Sequence, residues 1–196
     1  EVLDGLRSRF EDEGTPGALR VLMHSLAFGS LLPFVGPADQ SGARCVTQRQ
    51  MDMTLDVMAH SLVYWTQDAV ARDLMGDDGR IYAMTSSGGT RVMPSYGAVS
   101  AAKAALESHV RQLAFELGPR NIAVNALRAG VTDTPALRKI PGSDELLEGA
   151  THRNPGGRLT TPEDVARTMV ALSAPGTGWI SGNVIGVDGG EDVVGF

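Results

Sequence analysis

The chain has 196 residues, one to one and a half domains by length, and its 42% hydrophobic and 20% charged content is that of a globular protein, not a disordered one. Seventeen basic residues against 23 acidic ones leave a net charge of −6, which argues against a protein that tracks nucleic-acid phosphates. The one cysteine, Cys45, excludes an intramolecular disulfide framework and fits a reducing compartment, so a cytoplasmic setting is expected.

No stretch reads as a membrane span. The longest uncharged run, residues 21–38, is interrupted by His24, Ser25, Ser30 and Pro33. Glycine makes up 24 residues, about 12% against an average near 7%, which suggests many tight turns or close approach of backbone to a ligand. Only Lys103 and Lys139 among the 17 basic residues are lysines. The chain begins at Glu1 and not at Met, so further residues upstream are expected. Without repeats, low-complexity tracts or a linker, residues 1–196 read as a single domain, expected to be the C-terminal part of a longer chain.

Taken in order, residues 18–25 (ALRVLMHS) are a short apolar run that predicts a buried strand, and residues 29–42 predict a loop rich in glycine and proline. From Thr47 to Met75 the apolar positions Leu55, Met58, Ala59, Leu62, Val63, Ala69, Val70 and Leu74 keep helical spacing, and Gly76 is placed to end a long helix. Residues 79–85 predict a second strand. An alanine-rich helix follows from Tyr96 to Leu117, stopped by Gly118-Pro119, with small residues that allow burial against a sheet or another subunit. Residues 122–127 predict a third strand. Thr161, Pro162 and the acids after them predict a helix start, with the helix reaching Ser173. Residues 183–187 predict a last strand. Strands alternating with helices give an α/β fold with a mainly parallel sheet.

Ligands of such sheets sit beyond the carboxyl ends of the strands. Each predicted strand ends in small or hydroxylated residues: Ser25 to Gly29, Ser86 to Gly89, Ala129 to Thr134 and Asp188 to Gly190. Turn-making alone accounts for any one of these loops, but four at one edge predict a crevice. Ser86, Tyr96 and Lys103 lie at that edge. Seven residues separate Tyr96 from Lys103, roughly 700° of helix, so both face one side. The rise of about 10.5 Å is partly recovered because side chains lean toward the helix N-terminus. An ammonium near a phenol suits it to donate a proton or hydrogen bond to an oxygen that is becoming negative, and lysine's remaining donors can hold hydroxyl groups.

The segments HSLAFG (24–29), TSSGG (85–89), SYGAVSAAKAALE (95–107), NIAVNALRAGVTDT (121–134) and ISGNVIGVDGG (180–190) resemble the short-chain dehydrogenase/reductase superfamily. In its usual pattern the serine lies about thirteen residues before the tyrosine and the lysine four after it. Here the intervals are ten and seven, with the same sum, so the tyrosine has moved by nearly one helical turn. That displacement and HSLAFG resemble the enoyl-acyl-carrier-protein reductase branch. It suits the chemistry: hydride added to the β-carbon of a conjugated thioester develops charge on a carbonyl oxygen remote from the hydride acceptor.

The resemblance implies a Rossmann-like doubly wound parallel sheet without its N-terminal cofactor-binding portion, since no glycine-rich phosphate turn follows a first strand. It implies NADPH or NADH as cofactor, the choice being unreadable, and an acyl thioester on acyl carrier protein as substrate in fatty-acid biosynthesis. Tyr96, Lys103 and Ser86 would be catalytic, with Tyr96 stabilising the enolate. Ser25, Leu26, Lys103, Gly130, Thr132 and Thr134 would bind cofactor. Ala27, Phe28 and Leu137 would border the acyl chain, and residues 135–150 would form an amphipathic lid. A serine at position 86, where the commonest relatives carry a second tyrosine, resembles a less common bacterial subgroup. A homodimer or homotetramer through the helices 47–75 and 96–117 is also implied.

Two other readings stand beside this one: a 3-oxoacyl or other ketone reductase of the same superfamily, and a cofactor-free scaffold. His24, His60, His109 and His152 lack metal-ligand spacing, so no metal is expected. Asp56 and His60 suggest a helix-surface pair, no GxSxG occurs, and Trp179 is expected to pack beside the last strand.

Overall fold

The computed structural model describes residues 1–36, 42, 44–140 and 142–194. Four strands, β1 (Val21–His24), β2 (Arg80–Thr85), β3 (Ala123–Ala129) and β4 (Val184–Val187), pair in parallel in the order β1-β2-β3-β4. Register is regular: Leu22 faces Ile81, Ile81 faces Val124 and Leu127 faces Ile185. Because every pair is parallel, the carboxyl ends of all four strands meet at one edge, as the sequence predicts. β2 is buried on both faces, so its residues are not alternating but almost continuously apolar.

Helices α1 (Val2–Asp12), α2 (Gln48–Leu55), α3 (Ser61–Ala71) and α4 (Gly97–Leu117) precede and separate the first three strands. Leu62, Ala69, Leu106, Val110 and Leu113 fill the core between α3, α4 and one sheet face, together with Ile81, Ala83, Val124 and Ala126. Each large apolar side chain enclosed there contributes about 1.5–3 kcal/mol. Leu3 of α1 joins the same core, an element that the sequence reading left unassigned. Helix α6 (Pro162–Leu172) covers the opposite face, where Val165 meets Tyr82 and Leu127. Helix α5 (Ser143–Arg153) lies over the carboxyl edge with Leu147 and Ala150 buried beneath it.

The long helix expected over 47–75 is capped by Thr47, whose hydroxyl accepts from Gln50 N at 3.3 Å while Thr47 N donates to Gln50 Oε1 at 2.9 Å. It differs in two ways. A π-helical turn, Asp56–His60, separates α2 from α3, and the helix ends at Ala71, before Gly76. Asp73 takes the left-handed turn instead, with φ 51°, and Gly76 packs on Gly17, where any Cβ would stand 3.0 Å from the Gly17 oxygen. Helix α4 starts one residue late, with Tyr96 at its N-cap. α6 has its expected cap at Thr161, sealed by Asp164.

Two expectations about side chains are corrected. Trp179 does not pack: it sits in the turn before β4 and is 100% exposed. His60 does not pair with Asp56. Its Nδ1 lies 3.0 Å from His109 Nε2 across α3 and α4, because the π turn carries the ring toward the neighbouring helix. Among the described residues no group of three or more potential metal ligands assembles, and no helix is long and apolar enough to cross a membrane.

Candidate active site

The carboxyl edge of the sheet carries a cavity of about 490 Å³, lined by Ser86, Tyr96, Gly130, Thr132, Thr134 and Leu137 among others. Six of the residues that the sequence nominates therefore meet in one space. β2 ends at Thr85 and delivers Ser86 in extended conformation. The chain then tightens into a 3-10 turn over Ser87–Gly89, and this turn seats the tyrosine. A Cβ on Gly88 would stand 2.5 Å from Tyr96 Cε1 and 3.3 Å from Ser86 Oγ, so phenol and serine share the bare face of that glycine. The next residue, Gly89, does the same for the lysine: its Cβ would touch Lys103 Cβ at 3.5 Å.

Ser86 Oγ is buried without a hydrogen-bond partner. A buried hydroxyl left unpaired costs about 1–3 kcal/mol, and this one belongs to a residue of the cavity wall. Lys103 is only 6% exposed, one turn and more into α4, and its Nζ donates to the carbonyl oxygen of Met84 at 2.6 Å. Burial pushes its pKa down to about 8, against the pull of the Glu107 carboxylate. Glu107 is itself engaged, accepting from Thr85 Oγ1 at 2.7 Å. One of the lysine's three donors is thus fixed on the sheet, leaving two for a ligand.

His24, at the end of β1, is buried, with Nε2 2.8 Å from Ser61 Oγ and Nδ1 unpartnered. Burial first, and Lys103 second, bring its pKa down to about 4, so the ring is neutral at pH 7. The HSLAFG segment then leaves the sheet. Gly29 lies between α2 and α4, where a Cβ would meet Thr54, Met58 and Val99 within 2.8–3.1 Å. Ser25 and Leu26 line a separate groove of about 440 Å³ along the free edge of β1, with Leu19, Val21 and Trp65. Ala27 and Phe28 are exposed and line neither space. Leu137 reaches the main cavity from the short 3-10 turn Leu137–Lys139, and Ile140 and Leu146 join it. Of the lid segment, Pro141 lies outside the described residues, as do residues 37–41 of the glycine-rich loop.

The structure adds cavity residues that the sequence reading passed over, chiefly Arg91, Arg153 and Glu191. Glu191 had a signal: an acid directly after two glycines at a strand end is carried back toward the sheet. Gly189 and Gly190 take φ 62° and 87°, and Glu191 Oε2 accepts from Val131 N at 3.0 Å.

The donor set suits a reduced nicotinamide and a thioester carbonyl: a serine hydroxyl, a phenol and two threonines line one cavity, and the buried ammonium of Lys103 lies behind its wall, against Met84. Comparison with known proteins agrees with this chemistry. The family model described as "Enoyl-(Acyl carrier protein) reductase" matches residues 8–191. The enoyl-[acyl-carrier-protein] reductase [NADH] FabI of Aquifex aeolicus is 32% identical over 179 residues, which are 91% of this chain and 64% of the relative. A 1-cyclohexenylcarbonyl-CoA reductase of Streptomyces collinus is 33% identical over 171 residues, covering 85% of this chain and 60% of that protein. The chain thus spans a little under two thirds of the length of these two relatives. The crystal structure of the Aquifex aeolicus reductase superposes with a TM-score of 0.82 at 31% identity, over 99% of this chain and 72% of that one. With Ser86 and Tyr96 lining one cavity and the family model matching residues 8–191, the chain belongs to the enoyl-(acyl carrier protein) reductase family, in the short-chain dehydrogenase/reductase superfamily.

Proposed function

We propose that the protein reduces the carbon–carbon double bond of 2-enoyl thioesters, carried on acyl carrier protein in fatty-acid biosynthesis, at the expense of NADH or NADPH. The observation that carries this reading is that Tyr96 and Ser86 meet over the bare face of Gly88 and line one cavity with Leu137, Ile140 and Leu146.

When bound, a reduced nicotinamide supplies a hydride to the β-carbon. Tyr96 donates a hydrogen bond to the thioester carbonyl oxygen, where the negative charge of the enolate collects. Ser86, on the same face of Gly88 as the Tyr96 ring, is the second hydroxyl offered to that oxygen. The α-carbon then takes a proton, so the product has gained two electrons and two hydrogens. Lys103, fixed by Met84, offers its two free donors to cofactor hydroxyls. Thr132 and Thr134, which line the same cavity from the loop after β3 together with Gly130, would hold the cofactor. Ser25 and Leu26 extend the cofactor surface along β1. Phe28 and Ala27, exposed and outside that cavity, would border the outer acyl chain beyond it, with Leu137, Ile140 and Leu146 of the lid segment covering the part within.

Exposed Met53, Tyr64, Trp65 and Phe115 on α2, α3 and α4 support assembly into a homodimer or homotetramer through these helices. A single domain over residues 1–196, in a cytoplasmic setting, completes the proposal.

The test supplies crotonyl and acetoacetyl thioesters to the protein and follows NAD(P)H absorbance. Oxidation with the crotonyl ester supports the reading. Oxidation with the ketone alone assigns the protein to ketone reduction, and normal assembly without cofactor binding makes it a scaffold.

A further inference from the structure

Three walls of the cavity come from different parts of the chain: the 86–96 loop after β2, the 130–134 loop after β3, and helix α5. A short acidic segment touches all three. Asp192 Oδ1 is 2.9 Å from Arg91 Nε, in the first wall, and its Oδ2 is 3.0 Å from Arg128 Nη2 on β3. The Asp192 carbonyl also accepts from Arg91 Nη2 at 2.6 Å. Glu191, 11% exposed, serves the other two walls. Its Oε2 takes the Val131 amide at 3.0 Å, and its Oε1 lies 3.8 Å from Arg153 Nη2, on the last residue of α5.

Glycine makes this approach possible. A Cβ on Gly130 would stand 2.9 Å from Glu191 Oε2, so a side chain there would expel the carboxylate. Gly130 N donates to Val187 O at 3.1 Å and the Val131 carbonyl accepts from Thr160 N at 3.2 Å, so the Glu191 carboxylate is the side-chain contact that ties this loop to α5. The loop carries Thr132 and Thr134, while α5 carries Leu146. The two oxygens of one carboxylate therefore connect the wall assigned to cofactor with the wall assigned to the acyl group.

We propose that Glu191 is a positioning residue that couples the cofactor-facing loop 130–134 to the acyl-facing helix α5. The inference rests on the enoyl-thioester reading, and it concerns geometry and not the chemical step. Its two contacts are separable. Glutamine retains an oxygen for the Val131 amide but removes the charge that attracts Arg153, whereas alanine removes both.

The experiment measures steady-state kinetics of the wild-type protein, Glu191→Gln, Glu191→Ala, Arg153→Ala and the Glu191→Gln/Arg153→Ala double variant, with melting temperatures as a check on folding. Glu191→Gln is expected to raise KM for a long-chain enoyl thioester about fivefold, the scale of a partly exposed ion pair, and to change KM for the cofactor much less. Glu191→Ala raises both. Arg153→Ala reproduces the glutamine variant, and the double variant is no worse than either single one, since both remove the same contact. Additive effects, or a glutamine variant with wild-type KM values, overturn the proposal while leaving the enoyl-reductase reading intact. A wild-type protein that turns over no enoyl thioester overturns both.

Discussion

The ammonium of Lys103 donates a 2.6 Å hydrogen bond to the carbonyl oxygen of Met84, which fastens helix α4 to β2 two residues before Ser86. The charge is buried for this purpose at a cost: desolvation drives its pKa down to about 8. A group whose charged form is disfavoured by the fold is more often kept for chemistry than for stability.

Replacing Lys103 therefore separates the two. Lys103→Met preserves the stem and removes the charge, and it is expected to leave the melting temperature unchanged or higher. Turnover of enoyl thioester falls on the order of a hundredfold or more. Thermal unfolding and kcat on the same preparation test both halves.

The same lysine fixes a pH dependence. Its pKa is about 8 in the folded protein and 10.5 in the unfolded one, so between those values the unfolded chain binds more protons. Stability from this group rises with pH across that window. Activity moves the other way, falling above about pH 8 as the ammonium is lost. Urea unfolding and kcat measured from pH 7 to 10 should show these opposite slopes, and Lys103→Met should remove the stability slope.

His24 titrates on the acid side. Its pKa is lowered to about 4 from 6.5 by burial and by Lys103, so the neutral ring stabilises the fold fully above pH 6.5. That contribution is lost as pH falls from 6.5 toward 4, about 2 kcal/mol between pH 7 and pH 5. His109, also lowered by burial and by its neighbour His60, adds in the same direction. Denaturant midpoints at the two pH values measure the sum, and His24→Gln should leave only the His109 part.

Tyr96→Phe tests the phenol. Loss of one oxyanion donor predicts a fall in kcat of about 10²–10³-fold with an unchanged melting temperature.

Two glycine-to-alanine changes should behave differently although both are overcrowded. At Gly29 the new methyl meets Thr54, Met58 and Val99 inside the α2–α4 contact and is expected to destabilise by about 1–3 kcal/mol. At Gly88 it meets the Tyr96 ring, which can swing toward the cavity, so kcat falls while the midpoint of unfolding moves less. Paired unfolding and rate measurements distinguish them.

Much of this was legible in the residues themselves. Strand cores such as Ile81–Ala83 are continuously apolar, and Thr47 and Thr161 cap helices through contacts only three residues long. The serine–tyrosine–lysine spacing is local too, because one turn and one helix carry all three. Such features depend on neighbours in the chain, so sequence by itself determined the α/β pattern and the meeting of Ser86, Tyr96 and the 130–134 loop at one strand-end cavity, whereas Ser25 and Leu26 went to a separate groove. Tertiary structure decided what depends on distant partners. The π turn brings His60 to His109, 49 residues away. Trp179 faces water because nothing covers the turn before β4. Glu191 reaches Val131, 60 residues earlier, because β3 and β4 lie side by side and two left-handed glycines after β4 turn the chain back toward β3. Charge and hydrophobicity along a chain state what a residue can do, but the partner that fixes its role is chosen by the packing of the sheet.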